Sequence, residues 1–464
     1  MLFGILCISA FFVVWYGFVP FVGYGLLLLV FILLGIVKIE YLLYVMIMFS
    51  FFHEWNIDFA SYGVSRYISV LSTVHMSIAD LFAFIMLISL CVAVLFGFFE
   101  LRWRVLYKYL WPIFLSYAGF LCIAFLATRD AYGGLLHESV GYWMHPMFFV
   151  GLVYMIIPVM IIQTEKIFTR VLYILYGLGI LISIYALASL FIPQATGSWL
   201  RVHPFPLWGG ITPLGTNHNL LVEPLVTIIP FAVFLWYRYK TKLVFFLSSM
   251  MIVATLVSLS RAAWLSCIGM VLCALYIYRQ DITTWFNTKN LYRSVIVVLC
   301  VFVLGVYMLY FVSSSAIVKS STASRVDMNR ITWFYAQEEI LLGHGPGMFL
   351  FLLADTDLFR REYGDPLDAH GMIQKIIIEE GIIGFILFTI FIYTVLYMLW
   401  DTARHLDGRD RHLLVACMLM IVGQVIFQLF NTSYFKAVLW LPIGISLSLL
   451  LFYRSLLLPV SFKK

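Results

Sequence analysis

Apolar runs long enough to span a bilayer as a helix, about 17–25 residues, recur along this chain from end to end. The hydrophobic pattern places them near 3–19, 21–37, 41–52, 76–98, 109–127, 147–163, 170–192, 219–237, 243–259, 262–278, 294–312, 373–399, 412–430 and 437–453. The run at 41–52 is short and the first two need not both cross, so roughly 12–14 transmembrane helices are expected. The pattern predicts an all-α polytopic integral membrane protein, one transmembrane domain over 1–464. A large outer loop at 313–372 is expected to carry short helices.

Composition agrees: 63% of the residues are hydrophobic and 11% charged, against about 25% charged in a typical soluble domain. A water-soluble enzyme, a nucleic-acid binder and a disordered scaffold are excluded on that ground. The net charge of +6 mostly reflects basic anchors in short loops. Lys and Arg concentrate in alternate connections, for example Arg102, Arg104, Arg238, Lys240, Arg409 and Arg411, while the opposite short loops are poor in them. By the positive-inside rule both termini are expected in the cytoplasm and the sizeable loops on the outer face. The N-terminal run lacks the basic start and small-residue cleavage site of a signal peptide and is expected to remain as the first span. Seven cysteines lie in or beside apolar runs without a CxxC pair, which reads as packing and not as disulfide or zinc chemistry. No phosphate-binding glycine loop occurs, so hydrolysis of cytoplasmic ATP is not expected, and no internal repeat supports an inverted-repeat transporter.

A connection of some sixty residues is a functional pointer, because loops between spans are usually short. After Arg325 and Arg330, the apolar positions Ile331, Phe334, Tyr335, Ile340 and Leu341 predict a helix at the membrane surface, ended by Gly343, Gly345 and Gly347. At re-entry, Asp368 is expected as N-cap of a helix running to about Leu399, with His370 in its first turn and Gln374 one turn on. A helix N-terminus favours an anion and disfavours an imidazolium, which would hold His370 neutral and ready to accept a proton. Arg325, Arg330 and His370 together point to two guanidiniums that bind a diphosphate and an imidazole that activates a hydroxyl. The alternative is that the arginines contact lipid headgroups and the histidine is a satisfied surface residue. Arg261, in SLSRAAW, is expected either to meet an anion or to anchor its helix at the interface. Arg201 and the run GTNHNLLVEP, with Asn217, His218, Asn219 and Glu223, fit sugar binding and equally the cap of the next helix. Asp80, inside a span, is expected to pair with a buried polar neighbour.

These motifs resemble the O-antigen ligase and polymerase superfamily of bacterial envelope enzymes. The matching segments are GTNHN, SLSRAAW, RITWFYAQEEILLGHGPGMF and DAHGMIQKIIIEEGIIGFILF, in that order. Arg330, Gly343, Gly345, Phe349, His370, Glu380, Gly381 and Gly384 occupy the positions of the family pattern. The resemblance implies a metal-independent, inverting glycosyltransferase without a cofactor in the bacterial inner membrane, its active site on the periplasmic face. It would move a glycan from undecaprenyl diphosphate to the hydroxyl of an acceptor glycolipid, either lipid A–core or a second lipid-linked glycan. It implies His370 and Arg330 as catalytic, Arg261, Arg325 and Arg330 as diphosphate-binding, and Arg201, Asn217, His218, Asn219 and Gln374 as contacts of glycan or acceptor. Membrane lipid and a chain-length regulator are the other expected partners. One departure stands out: the family follows the histidine with Asn or Ser, whereas this chain has Gly371. Three other readings compete, of which a cell-wall polymerase of the shape and division type fits the span count but not the late His-led re-entry helix. A metal-dependent transferase would use Asp130, Glu138, Asp355, Asp357, Asp365 or Asp368, and a flippase of lipid-linked sugar would need polar residues spread through the mid-membrane.

Overall fold

The computed structural model describes residues 31–33, 35–36, 38–52, 56–58, 75–100, 103–192, 201–207, 212–215, 217–279, 316–354, 356, 371–433 and 435–457. Among these residues eight helices are long and apolar enough to cross a membrane, and the protein is an all-α polytopic membrane protein. The expected spans at 3–19 and 294–312, and most of 21–37, lie outside the described residues.

The described helices are α1 (Ile39–Phe49), α2 (Ile78–Leu95), α3 (Trp103–Ala127), α4 (Leu136–Ile161), α5 (Glu165–Ala188), α6 (His218–Tyr239), α7 (Lys242–Val257), α8 (Arg261–Ile277), α9 (Ala316–Ala336), α10 (Phe349–Ala354), α11 (Met372–Ala403), α12 (Gly408–Gln428) and α13 (Ala437–Leu457). Two short strands, β1 (Asn56–Asp58) and β2 (His75–Ser77), pair antiparallel just before α2. Several of the apolar helices start where a side-chain oxygen accepts a first-turn N–H that would otherwise be orphaned. Ser77 does this for Asp80, Thr164 for Ile167, Thr241 for Val244 and Ser260 for Ala263.

Helix α13 is buried along most of its length, and Trp440 fills the space between α3 and α11, with ring centroids 5.0 Å from Tyr117 and 5.7 Å from Phe391. Gly444 lets α13 approach α4 closely, since a Cβ there would stand 2.8 Å from the Met155 carbonyl oxygen. Small residues at such crossings are what allow helices to pack in lipid, where no hydrophobic drive separates them from acyl chains. At one face of the bundle Arg409 pairs with Glu165 at 3.0 Å and Arg454 with Asp401 at 3.3 Å, joining the ends of α5, α11, α12 and α13. The ends of α6 and α8 that carry the candidate residues lie at the opposite face.

Helix α4 begins earlier than the hydrophobic pattern predicts. The stretch 128–146, expected as a loop, is helical from Leu136, and the helix passes through π-helical turns at Trp143–Phe149 and Leu152–Ile156. Pro146 inside the first of these has no N–H to donate, and the Tyr117 hydroxyl supplies a bond to the Met147 carbonyl at 2.7 Å. Asp80 finds its polar partners here: the Tyr154 hydroxyl donates to it at 2.9 Å and the Ser77 hydroxyl at 2.7 Å.

The predicted surface helix is α9, but it ends at Ala336, before Gly343, Gly345 and Gly347. Those glycines serve a different purpose. Helix α11 is broken at Gly381, which takes φ 67° and ψ −173°. The break interrupts the i→i−4 ladder, and the 340–345 segment takes up two carbonyls and two N–H groups around it. His344 N donates to Ile378 O at 2.8 Å, Gly345 N to Glu379 O at 2.9 Å, Ile382 N to Ile340 O at 2.9 Å and Ile383 N to Leu341 O at 3.3 Å. A Cβ on Gly343, itself at φ +77°, would lie 2.6 Å from the Gly381 nitrogen, and one on Gly381 would collide with the Leu341 carbonyl. The Glu379 carboxylate closes the unit, accepting from the Phe349 N–H at 3.2 Å and facing Lys375 Nζ at 3.8 Å.

Gly381→Ala should therefore be severely destabilising. A left-handed φ costs about 1–2 kcal/mol for a non-glycine residue, and overpacking adds roughly 1–3 kcal/mol. Thermal unfolding in detergent checks this, with Gly177→Ala in α5 as control: a Cβ there meets nothing within 4 Å, and the melting temperature should hold or rise.

Candidate active site

Two helix N-termini meet at the site face. Asn217 caps α6, its side-chain oxygen accepting from the N–H groups of Asn219 at 2.9 Å and Leu220 at 3.0 Å. Ser260 caps α8 and its hydroxyl also donates to Asn219 Oδ1 at 2.7 Å, tying the two ends together. The turn from α7 to α8 is tight. Leu259 adopts φ 54°, a conformation that non-glycine residues rarely take, and the Ser258 hydroxyl accepts from Ser260 N at 3.1 Å. Strain of this kind persists only where the surroundings over-determine it, and it clusters at functional sites.

Three guanidiniums converge on these ends. Arg261 is the first residue of α8. Arg201 reaches the same turn, its Nε donating to the Ser258 carbonyl at 3.2 Å, while its Nη2 contacts His218 Nε2. Arginine can only donate, so His218 accepts on Nε2 and carries its proton on Nδ1. Arg325 comes from α9, half-buried, with Nε buried and without a hydrogen-bond partner among the described residues. Burial first, and the charge of Arg261 second, pushes the Arg201 guanidinium down to about 10. The same two causes, in the same order, lower Arg325. Arg201, Arg261 and Arg325 all act on the His218 ring, so the four side chains share one electrostatic environment. Three like charges beside two positive helix ends are an arrangement that would suit a multiply charged anion.

Arg330 stands apart. It lies five residues after Arg325, about 140° around the helix at about 100° per residue. Its side chain is 78% exposed and pairs with Asp327 at 3.4 Å. The face of α9 that carries Arg325 also carries Asn329, which accepts a hydrogen bond from Gln374 at the start of α11. One helix face thus joins the arginine cluster to the re-entry point. That re-entry differs from expectation: Gly371 is the N-cap and α11 begins at Met372. Asp368 is not the cap, and His370 precedes the helix, so the dipole argument for a first-turn imidazole does not apply. Asp368 and His370 themselves lie outside the described residues.

Glu223 is the residue sequence reasoning missed. Read with the polar run at the α6 cap, it is instead fully buried within α6, hydrogen-bonded to Gln428 and Ser433. Its spacing of four from Asn219 on one helix is the signal that could have placed it on an inward face. Of the carboxylates that a metal-dependent reading would need, Asp355, Asp357, Asp365 and Asp368 are outside the described residues, while Asp130 and Glu138 are exposed.

A polytopic membrane protein whose polar chemistry gathers at the helix ends of one face, under a long connection, is the class that fold and site define. Residues 244–389 match the family model described as O-antigen ligase, which supports the O-antigen ligase and polymerase superfamily. The match takes in Arg261, Arg325, Arg330, His370 and Gln374, whereas Arg201 and the Asn217–Asn219 cap precede it. It supports a membrane glycosyltransferase of the ligase or polymerase type. No curated protein matches the chain.

The cluster makes an immediate prediction about anion binding. Inorganic diphosphate should raise the melting temperature of the purified protein. Arg325→Gln and Arg261→Gln should each weaken that binding about tenfold or more, as loss of a charge-assisted hydrogen bond does. Arg330→Gln should leave it within about twofold, because an exposed pair contributes little.

Proposed function

We propose that this protein transfers a glycan from undecaprenyl diphosphate to a sugar hydroxyl of an acceptor glycolipid, at the outer face of the bacterial inner membrane. The observation that supports this reading most is the convergence of Arg201, Arg261 and Arg325 on the capped N-termini of α6 and α8. A diphosphate is the anion such a group of forked donors suits, and it is also the leaving group of the reaction. The basic connections at the opposite face, with Arg238, Lys240 and Arg409, support a cytoplasmic placement for that face and for both termini.

In this reading the acceptor hydroxyl gives its proton to the imidazole of His370. Its oxygen attacks the anomeric carbon from the side opposite the diphosphate, so the configuration inverts. The bond from the anomeric carbon to the diphosphate oxygen breaks, and the electron pair leaves with undecaprenyl diphosphate. The charge that grows on the leaving oxygen is met by guanidiniums already in place, which is where preorganised donors contribute most. In this reading His218, Asn219 and Gln374 would orient sugar hydroxyls, and Arg330, exposed on α9, would meet the incoming acceptor. The chemistry needs no metal. Ligase and polymerase differ only in whether the acceptor is lipid A–core or a second lipid-linked chain. A chain-length regulator would act on the polymerase alternative.

The test uses purified protein with undecaprenyl-diphosphate glycan and an acceptor, with and without EDTA. Transfer should persist in the chelator. His370→Ala should lower kcat by roughly 10²–10⁴, the usual contribution of a general base, and Arg325→Ala by roughly 10²–10³. Activity abolished by EDTA and restored by Mg²⁺ would move the chemistry to carboxylates, and full activity of His370→Ala would remove the base.

A further inference from the structure

Glu223 sits inside α6, fully buried, below the cap that carries His218 and Asn219. Its Oε1 accepts two hydrogen bonds, from Gln428 Nε2 at 2.5 Å and from the Ser433 hydroxyl at 2.5 Å. Gln428 also accepts from the Ser433 N–H at 2.7 Å. One residue is the last of α12 and the other lies in the connection to α13, so a single carboxylate oxygen pins both arms of the turn at 429–433. One turn lower, Gln424 donates to the Glu223 backbone carbonyl at 3.1 Å and contacts the Thr227 hydroxyl, so the attachment continues down the α6–α12 seam.

The same turn faces the start of α11. A Cβ on Gly371 would come within 2.8 Å of the Leu429 carbonyl oxygen. The backbone at Gly371, φ −168°, is extended and open to any residue, so space and not conformation calls for glycine here. A continuous series of contacts therefore runs from the capped end of α6, where Arg201 meets His218, through Glu223 and the 429–433 turn, to Gly371 at the start of α11. It also gives a reason for glycine at the position where the family carries Asn or Ser: this turn approaches too closely for a side chain.

We propose that Glu223 is a positioning residue, which sets the spacing between the arginine half of the site and the start of α11 through the 429–433 turn. This inference rests on the proposed glycan transfer for what the spacing serves. The network itself involves no bond-making step. A misplacement of about 1 Å far from the chemistry can cost about 10²-fold in rate, and a carboxylate held between two helices is suited to prevent one.

Spin labels on Leu256→Cys, at the end of α7, and Ile373→Cys, at the start of α11, report the spacing without any substrate, in a background freed of the native cysteines. Both positions are accessible, at 49% and 37% exposure. Glu223→Leu should broaden or shift the distance distribution relative to the parent. In the transfer assay it should lower kcat about tenfold or more while the KM for the lipid-linked donor stays within about twofold. Glu223→Gln retains an oxygen that can accept both bonds, and should keep the parent distance and a kcat within about threefold. If Glu223→Leu does not fold, Ser433→Ala and Gln428→Leu, each removing one bond, should give smaller changes of the same kind. An unchanged distance distribution in folded Glu223→Leu overturns the inference. So does a rise in KM equal to the fall in kcat, or a Glu223→Gln that behaves like Glu223→Leu. Absence of transfer by the parent protein would count against the proposed function, while the distances would still decide the role of Glu223.

Discussion

A helix that breaks inside a membrane protein must find new partners for every backbone group it releases, because hydrocarbon offers none. The break in α11 at Gly381 meets that requirement through the 340–345 segment, whose N–H and carbonyl groups pair with residues 378, 379, 382 and 383. Much of the site's geometry depends on this exchange. It docks the middle of the long connection onto α11 a few residues after α9, and so constrains the end of the helix that carries Arg325. It also orients the first segment of α11, which carries Lys375, Gln374 and the Gly371 cap. The glycines at 343 and 381 belong to one contact, since a Cβ on Gly343 would strike the Gly381 nitrogen and one on Gly381 the Leu341 carbonyl.

Against that fixed framework the arginine cluster is electrostatically unfavourable on its own. Arg201 and Arg325 lose hydration and also feel Arg261, while two helix N-termini add partial positive charge on the same side. Proteins rarely hold such an arrangement without an anion to neutralise it. The strained Leu259 and the linked Ser260–Asn219 pair carry the same implication, because they keep the helix ends together where each would relax if free. Stability given up at these residues is offset by the apolar packing around α13.

Much of this was readable in the sequence, and the exceptions share a cause. Hydrophobic period and length located the spans at α2, α5, α6, α12 and α13 to within a few residues, because their surroundings are uniformly apolar. The start of α4 was missed because His137, Glu138 and Pro146 read as loop, and the helix accommodates the proline through π-helical turns. The break in α11 was invisible: a single glycine in an apolar run is compatible with a continuous helix, and only the distant 340–345 segment makes the break affordable. In the site, residue types were informative and directions were not. Arg325 and Arg330 looked equivalent until the helix they share put one towards Arg261 and the other towards Asp327. Glu223 was hidden by its neighbours, since a polar run at a helix start reads as a cap, and only the partner helix shows which member turns inward.

The departure at Gly371 shows how such distant choices are coupled. A side chain after the histidine would have to displace the Leu429 carbonyl. That carbonyl opens the turn whose Ser433 is held by Glu223. Withdrawing the turn to admit a larger residue would therefore pull on α6, the helix whose capped end stands beside Arg201 and Arg261. Replacing the glycine alone is then a different experiment from replacing it together with the turn. A substitution in this region is best understood as a change in the distance between two helix ends, whatever chemistry the new side chain brings.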